Sequence, residues 1–372
     1  MPETGRILQF PQQVRRKILS SAEAGLVANR YLGASESERS EELRLVALND
    51  PDVVLAILAQ LRGMADGSPS LVANEARDVY RVLADKQSLG FFDERDYFLG
   101  ESALIAGSAL RLLGRRDEAE LWLDRAEASF RHVVNPGPAL ANVSYARLTL
   151  HYDCGRYDRA LSLLPSLALS FEKLSMRREA LKCRFLEAMC LKNSSRTTEA
   201  LRKLELLVSD PALASESGLL GLVLLNLGDL ATYEGRRREA LPLYQRALPL
   251  LQSSNQAFAV AHLKGLIGEA LRADGRVAAA VESFRAAIAD YAALGMVTWV
   301  AYLRLVLSES LIALSRNREA EWEILAALPT IEAEKMLPEG FAAVTLLRES
   351  VRRRQTDGNA LREIRQQVKV SH

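Results

Sequence analysis

An all-α fold, a right-handed superhelical solenoid of antiparallel helix pairs, is what this sequence predicts. Three observations carry that prediction. A short signature ending in alanine returns six times at a nearly constant interval. Small and large apolar residues keep step with it at helical spacing. Aromatics make up only 6% of the 372 residues, so the core must be built from Leu, Ala and Val, a composition that points to helices.

The signature reads GRRDEA to Ala119, GRYDRA to Ala160, SRTTEA to Ala200, GRRREA to Ala240, GRVAAA to Ala280 and SRNREA to Ala320. The intervals are 41, 40, 40, 40 and 40, and Ala360 falls another 40 on in a poorer context. Such a period marks a stacked repeat. Twelve places before each alanine stand Gly107, Leu148, Ala188, Gly228, Gly268 and Ser308, five of them small. Four places after it stand Leu123, Leu164, Leu204, Tyr244, Phe284 and Ile324, and seven after it Ala126, Leu167, Leu207, Ala247, Ala287 and Ala327. Spacings of four and seven share one helical face. Small residues let the two helices of a pair approach, and the large one fills the space between pairs.

Taken in order, residues 5–32 predict one or two helices, followed by the polar stretch GASESERSEE at 33–42. Residues 38–63 and 69–87 predict two helices around MADGSPS, a degenerate first repeat in which Ala76, Tyr80 and Leu83 echo the second-helix pattern. Six regular repeats occupy 98–330. NPGP at 135–138 and the Asp-Pro at 210–211 are connections between hairpins. A last pair at 341–354 and 358–370 shows Arg348, Arg352, Arg353 and Arg354 on an outer face, as a terminal repeat must. The organisation expected is therefore 1–97, 98–330 and 331–372.

Arginine follows the small turn residue in every unit: Arg115, Arg156, Arg196, Arg236, Arg276 and Arg316. A ladder reading phosphate is one explanation. A capping role is the stronger one, with the cation meeting the last carbonyls of the first helix and glycine taking the left-handed conformation there.

The segments LLNLGDLATYEGRRREALPLYQRAL (224–248) and LIGEALRADGRVAAAVESFRAAI (266–288) resemble the tetratricopeptide repeat family. The unit here is a long form, exceeding the family's ordinary length of about 34 residues. Similar long units occur in Rap-type pheromone receptors, MalT-type activators and LGN-type polarity adaptors, so length alone does not choose a subfamily. The resemblance implies a concave groove lined by the first helix of each pair. Carried onto this chain, the groove positions are Asn142, Tyr145, Thr149, Tyr152 and Asp153 in unit two, and Lys182, Phe185, Met189, Lys192 and Asn193 in unit three. Unit four gives Asn226, Asp229, Thr232 and Tyr233; unit five His262, Glu269 and Arg272; unit six Tyr302 and Glu309. Aromatics, a methionine and lysines suit a peptide or helical segment with apolar anchors. An asparagine such as Asn226 can hold a peptide backbone through its amide.

An acid recurs once per repeat on that face, at Asp229, Glu269, Glu309 and Glu349. Such a stripe favours a basic partner segment. Glu269 and Glu349 have a base three places on, Arg272 and Arg352, and local pairing accounts for them. Asp229 and Glu309 have none on their own helices. The Lys/Asn clamp that chaperone-binding members of the family use is not reproduced.

Composition narrows the function. With 48 basic and 47 acidic residues and a net charge of +1, the chain is not an electrostatic nucleic-acid binder. Its longest apolar run, Leu219–Leu225, is far short of a membrane span, and the first residues lack the apolar core of a signal peptide. Three cysteines, Cys154, Cys183 and Cys190, form no C-x-x-C and fit a cytoplasmic protein in which they are buried apolar residues. Richness in Arg, Ala and Leu fits a GC-rich bacterial source. No nucleotide, metalloprotease or nucleophile-elbow motif occurs, and His132, His151, His262 and His372 stand apart; His151 reads as a satisfied core or edge residue. Neither catalysis, metal nor cofactor is expected. The reading is a regulatory scaffold or adaptor binding a peptide or helical segment of a protein partner. Its rivals are a peptide-gated receptor of Rap-like layout, whose catalytic glutamine cannot be located here, and a self-associating structural subunit with an apolar patch at Phe91 and Phe92.

Overall fold

A computed structural model describes residues 21–34, 47–65, 67–85 and 94–333. The expectations for 5–20, for Phe91 and Phe92, and for the final helix pair with Glu349, Ala360 and its four arginines lie outside the described residues. Those described are helical, with no strand among them.

The period has a simple origin in the backbone. From Gly137 to Ala333 all helices but one have 17 residues. Most are followed by a link of three, and the middle residue of the link is left-handed. These middle residues are Gly155, Ser175, Ser195, Gly235, Asn255, Gly275, Gly295 and Ser315, with φ between 55° and 79°. After α6 (Gly137–Asp153), the Arg156 N–H donates to His151 O and the Gly155 N–H to Tyr152 O, both at 2.9 Å. That double closure satisfies the last carbonyls of the helix. Two helix-and-link segments make one repeat. The arginine after each first helix thus contributes its backbone N–H, and its guanidinium does something else: Arg115, Arg196, Arg236 and Arg316 reach forward to Glu118, Glu199, Glu239 and Glu319 in the first turn of the next helix. Capping by the charged group is corrected for these four, since the acid three places on is the counterion; Arg156 and Arg276 have no acid there.

Two places break the rhythm. The interval of 41 arises at 131–136, where α5 (Arg116–Phe130) ends early and Asn135 takes the left-handed position at φ 58°. Helix α9 (Thr197–Val208) has only 12 residues, because Pro211 cannot continue it. A 3-10 turn at Pro211–Ser215 follows, capped by the Asp210 carboxylate accepting from Ala212 N at 2.9 Å. Arg177 and Arg184 flank the same carboxylate at 3.1 and 3.0 Å. Both breaks are connections between hairpins, as the sequence indicated.

Packing follows the repeat. All six signature alanines are fully buried, and so are the large residues four places on. At the position seven on, Leu167 is half-buried while the others are buried. A Cβ on Gly228 would come within 2.4 Å of the Tyr244 ring, and one on Gly268 within 2.6 Å of Phe284. In two units the earlier residue is larger, Ala188 standing with Leu204 and Leu148 with Leu164, whereas Gly107 stands with Leu123, 3.1 Å from where its Cβ would be.

Residue contacts divide the chain into units 1–176 and 177–372. The first begins with α1 (Ser21–Gly33), which packs on α2 (Pro51–Met64). Helix α2 is capped by Asp50, which accepts from Asp52 N and Val53 N, with Pro51 in the first turn; most of the expected stretch before it, 38–46, lies outside the described residues. Helices α3 (Pro69–Ala84) and α4 (Arg95–Leu112) pack together, α4 pairs with α5, and α6 with α7 (Tyr157–Lys173). Among its described residues the second unit holds four hairpins: α8 (Arg177–Asn193) with α9, α10 (Ser217–Tyr233) with α11 (Arg237–Ser253), α12 (Ala257–Ala273) with α13 (Val277–Ala293), and α14 (Val297–Ala313) with α15 (Asn317–Ala333).

Candidate groove and anchor pocket

In the second unit the first helices α8, α10, α12 and α14 bring many of the expected groove residues together. Lys192, in the last turn of α8, donates to the Asn226 side-chain oxygen at 3.0 Å and pairs with Asp229 on α10. Arg272, in the last turn of α12, pairs with Glu309 on α14. The sequence separation is 37 in both cases, so a base near the end of one first helix meets the acid of the next. In the first unit Arg111 pairs with Asp153 in the same sense.

This corrects the reading of the acidic stripe. Asp229 and Glu309 are not open carboxylates, and Arg272 serves Glu309 rather than Glu269. A search along a single helix misses such partners because the stacking of hairpins creates them. Glu269 instead accepts from the Tyr302 hydroxyl at 3.2 Å. The Asn226 amide is partly engaged, its N–H donating to Leu222 O at 2.9 Å.

Beside Glu269 lies a cavity of about 210 Å³ whose walls include Asp229, His262, Tyr291, Trp299 and Tyr302. Trp299 stacks on Tyr291 with ring centres 5.4 Å apart and an interplanar angle of 9°. His262 and Tyr302 meet the same indole edge-on at 5.6 and 6.1 Å. The Tyr291 hydroxyl lies 3.4 Å from His262 Nδ1, and burial pushes its pKa upward, so it stays a neutral phenol. Gly265 is the reason for the hole. In successive repeats the same helical position carries Tyr145, Phe185, Leu225, Gly265 and Leu305, and the glycine alone leaves the space empty. A Cβ there would meet only Leu303, at 3.5 Å, an ordinary contact.

Other expected residues are more ordinary. Met189 is buried and belongs to the core, which removes it from a groove surface. Lys182 and Phe185 are half-buried on α8, and burial lowers the Lys182 pKa. Asn193 and Tyr233 end their helices exposed. Asn142, Tyr145 and Thr149 are half-buried on α6, Thr149 bonding back to Ala146 O, and Tyr152 packs on Tyr157 at 5.7 Å. Trp299 and Tyr291 were not among the positions carried over from the family; Trp299 precedes those of its helix, and Tyr291 comes from a second helix.

Cys183 and Cys190 are fully buried, and burial pushes their thiols up to about 12 and about 11, as apolar packing residues would have them. His151 is buried too, but Nδ1 has no hydrogen-bond partner, so the expectation of a satisfied histidine is corrected. Among the described residues no helix is long and apolar enough to cross a membrane.

Comparison with known proteins places this geometry. Residues 223–254 match the tetratricopeptide repeat family model. No curated protein matches the chain by sequence. Solved structures do. Aspartyl phosphate phosphatase F from Bacillus subtilis superposes with a TM-score of 0.54 at 16% identity, over 96% of this chain and 96% of that one. The Rap conjugation gene regulator of plasmid pLS20, in complex with a Phr peptide, gives 0.55 at 13% identity over 95% and 96%. A signal transduction ATPase with a tetratricopeptide repeat sensor from Pyrococcus horikoshii gives 0.54 at 14% identity, over 95% of this chain and 53% of that one. Residues 223–254 thus carry a tetratricopeptide repeat, and the chain as a whole shares the helical-repeat fold of these structures.

Proposed function

We propose that this protein is a regulatory binding scaffold whose groove receives a peptide or helical segment of a partner. The cavity left by Gly265 takes a cationic side chain of that segment. The cavity carries the reading. About 210 Å³ suits a single side chain, aromatic rings wall it, and Glu269, matched by a phenol and not by a base, supplies negative charge. The basic partner segment thereby narrows from a whole stripe to one residue, a lysine, an arginine or an amino terminus. The likeness to a Rap regulator holding a Phr peptide supports a peptide as the occupant and favours a peptide-gated receptor as the second reading. A binder rather than a catalyst is the reading throughout, because the acids of the groove are matched with bases or a phenol. A cytoplasmic, bacterial setting completes the proposal.

Selection of a random-peptide phage library on the immobilised chain tests it. Recovered peptides should share a basic residue at a fixed place, and Trp299→Ala should release them while the melting temperature stays within a few degrees. Recovery of peptides without a common cation, or equal retention by Trp299→Ala, would remove the proposal.

A further inference from the structure

The first unit contains a cavity of about 450 Å³ between α5 and the hairpin of α6 and α7. Its walls carry charges of both signs. Arg147 on α6 pairs with Glu120, Asp124 and Glu127 of α5, which occupies three of its four acids. The fourth, Asp117, stands at the start of α5. The other lining bases are differently placed. Arg116 donates to Asp153 O at 3.1 Å, and Arg156 and Arg159, at the start of α7, have no side-chain partner among the described residues. With them stands His151, only 8% exposed, its Nδ1 sealed from solvent without a hydrogen bond.

A buried ring nitrogen in a folded protein ordinarily has a partner, and an orphan needs explaining. Burial, and then Arg159 and Arg156, hold the His151 pKa below its usual value, while Glu120 opposes them. The imidazole, which lines the cavity, therefore sits in a positive local field. A group that brings negative charge and several acceptor oxygens answers that field. Guanidinium groups match oxyanions in geometry, and three arginines with an imidazole offer more donors than the two oxygens of a carboxylate can use.

We propose that this cavity binds the phosphate group of a small phosphorylated metabolite, held by Arg116, Arg156 and Arg159 with a hydrogen bond from His151. The site lies in the unit that does not contain the anchor pocket, so it stands or falls independently of peptide binding.

The test is a titration of the full chain with inorganic phosphate, followed by the ring resonances of its four histidines in NMR. Phosphate should shift the His151 resonance saturably and raise its titration midpoint, because added negative charge favours the imidazolium. Arg156→Gln combined with Arg159→Gln, both on exposed side chains, should weaken phosphate at least about tenfold, on the order of 1.4 kcal/mol. Acetate should bind more weakly than phosphate, and Trp299→Ala should leave phosphate binding unchanged. An unshifted His151, equal affinity in the double variant, acetate binding as tightly as phosphate, or loss of phosphate binding in Trp299→Ala would overturn the assignment.

Discussion

Glycine plays opposite parts at two positions in neighbouring repeats. Gly228 is required because Tyr244 occupies the place of its missing side chain, whereas Gly265 leaves a place that nothing occupies. Gly228→Ala should therefore lower stability by about 1–3 kcal/mol, the cost of overpacking a filled interior, read from urea unfolding. Gly265→Ala should be neutral or stabilising, since alanine is the better helix former. At the same scale His151 sets a pH dependence. Its folded pKa is lowered from the ordinary 6.5, so the unfolded chain binds more protons and stability falls as pH drops through that range. Wild type should lose more stability than His151→Gln between pH 7 and pH 5; parallel losses would show that the buried ring carries no such linkage.

At the scale of elements, helix length is set by the left-handed link residue and not by the apolar pattern. Serine at 195 and 315 occupies a conformation that costs a residue with a Cβ about 1 kcal/mol or more. Ser195→Gly and Ser315→Gly should each stabilise by about 0.5 kcal/mol, after glycine's greater freedom in the unfolded chain is subtracted, as measured by thermal unfolding. A loss of stability on either change would contradict this account of the links. The links also show what the sequence could reveal. Gly-Arg before the second helix was legible because it recurs, while Ser175, Asn255 and Gly295 between hairpins share no residue type and were missed. The small-large pairs were legible because both partners lie within one repeat. The Lys192–Asp229 and Arg272–Glu309 pairs were not, since only stacking brings residues of different repeats within reach.

Across the whole molecule, stability in a stacked array is a sum over units and their nearest neighbours. Gly100 lies against Phe130 in the first unit and Gly268 against Phe284 in the second, with no residue in common. The destabilisations of Gly100→Ala and Gly268→Ala should add within about 0.5 kcal/mol in the double variant, and a larger departure would mean that the units share an interaction. The division at 176 was invisible to the repeat register, which runs through it unbroken. Legibility of the site ran the other way from that of the fold. Family positions pointed to helices that line the cavity, but the proposed anchor pocket depends on an absent side chain and on an aromatic from a second helix, neither of which periodicity marks.

The most direct measurement is a calorimetric titration of a library-selected peptide into wild type and into Gly265→Leu, with thermal unfolding run alongside. Filling the hole should weaken the peptide by about tenfold or more, equivalent to roughly 1.4 kcal/mol, while the melting temperature holds or rises. Unchanged affinity in a folded Gly265→Leu chain would show that the pocket is not where the partner is held.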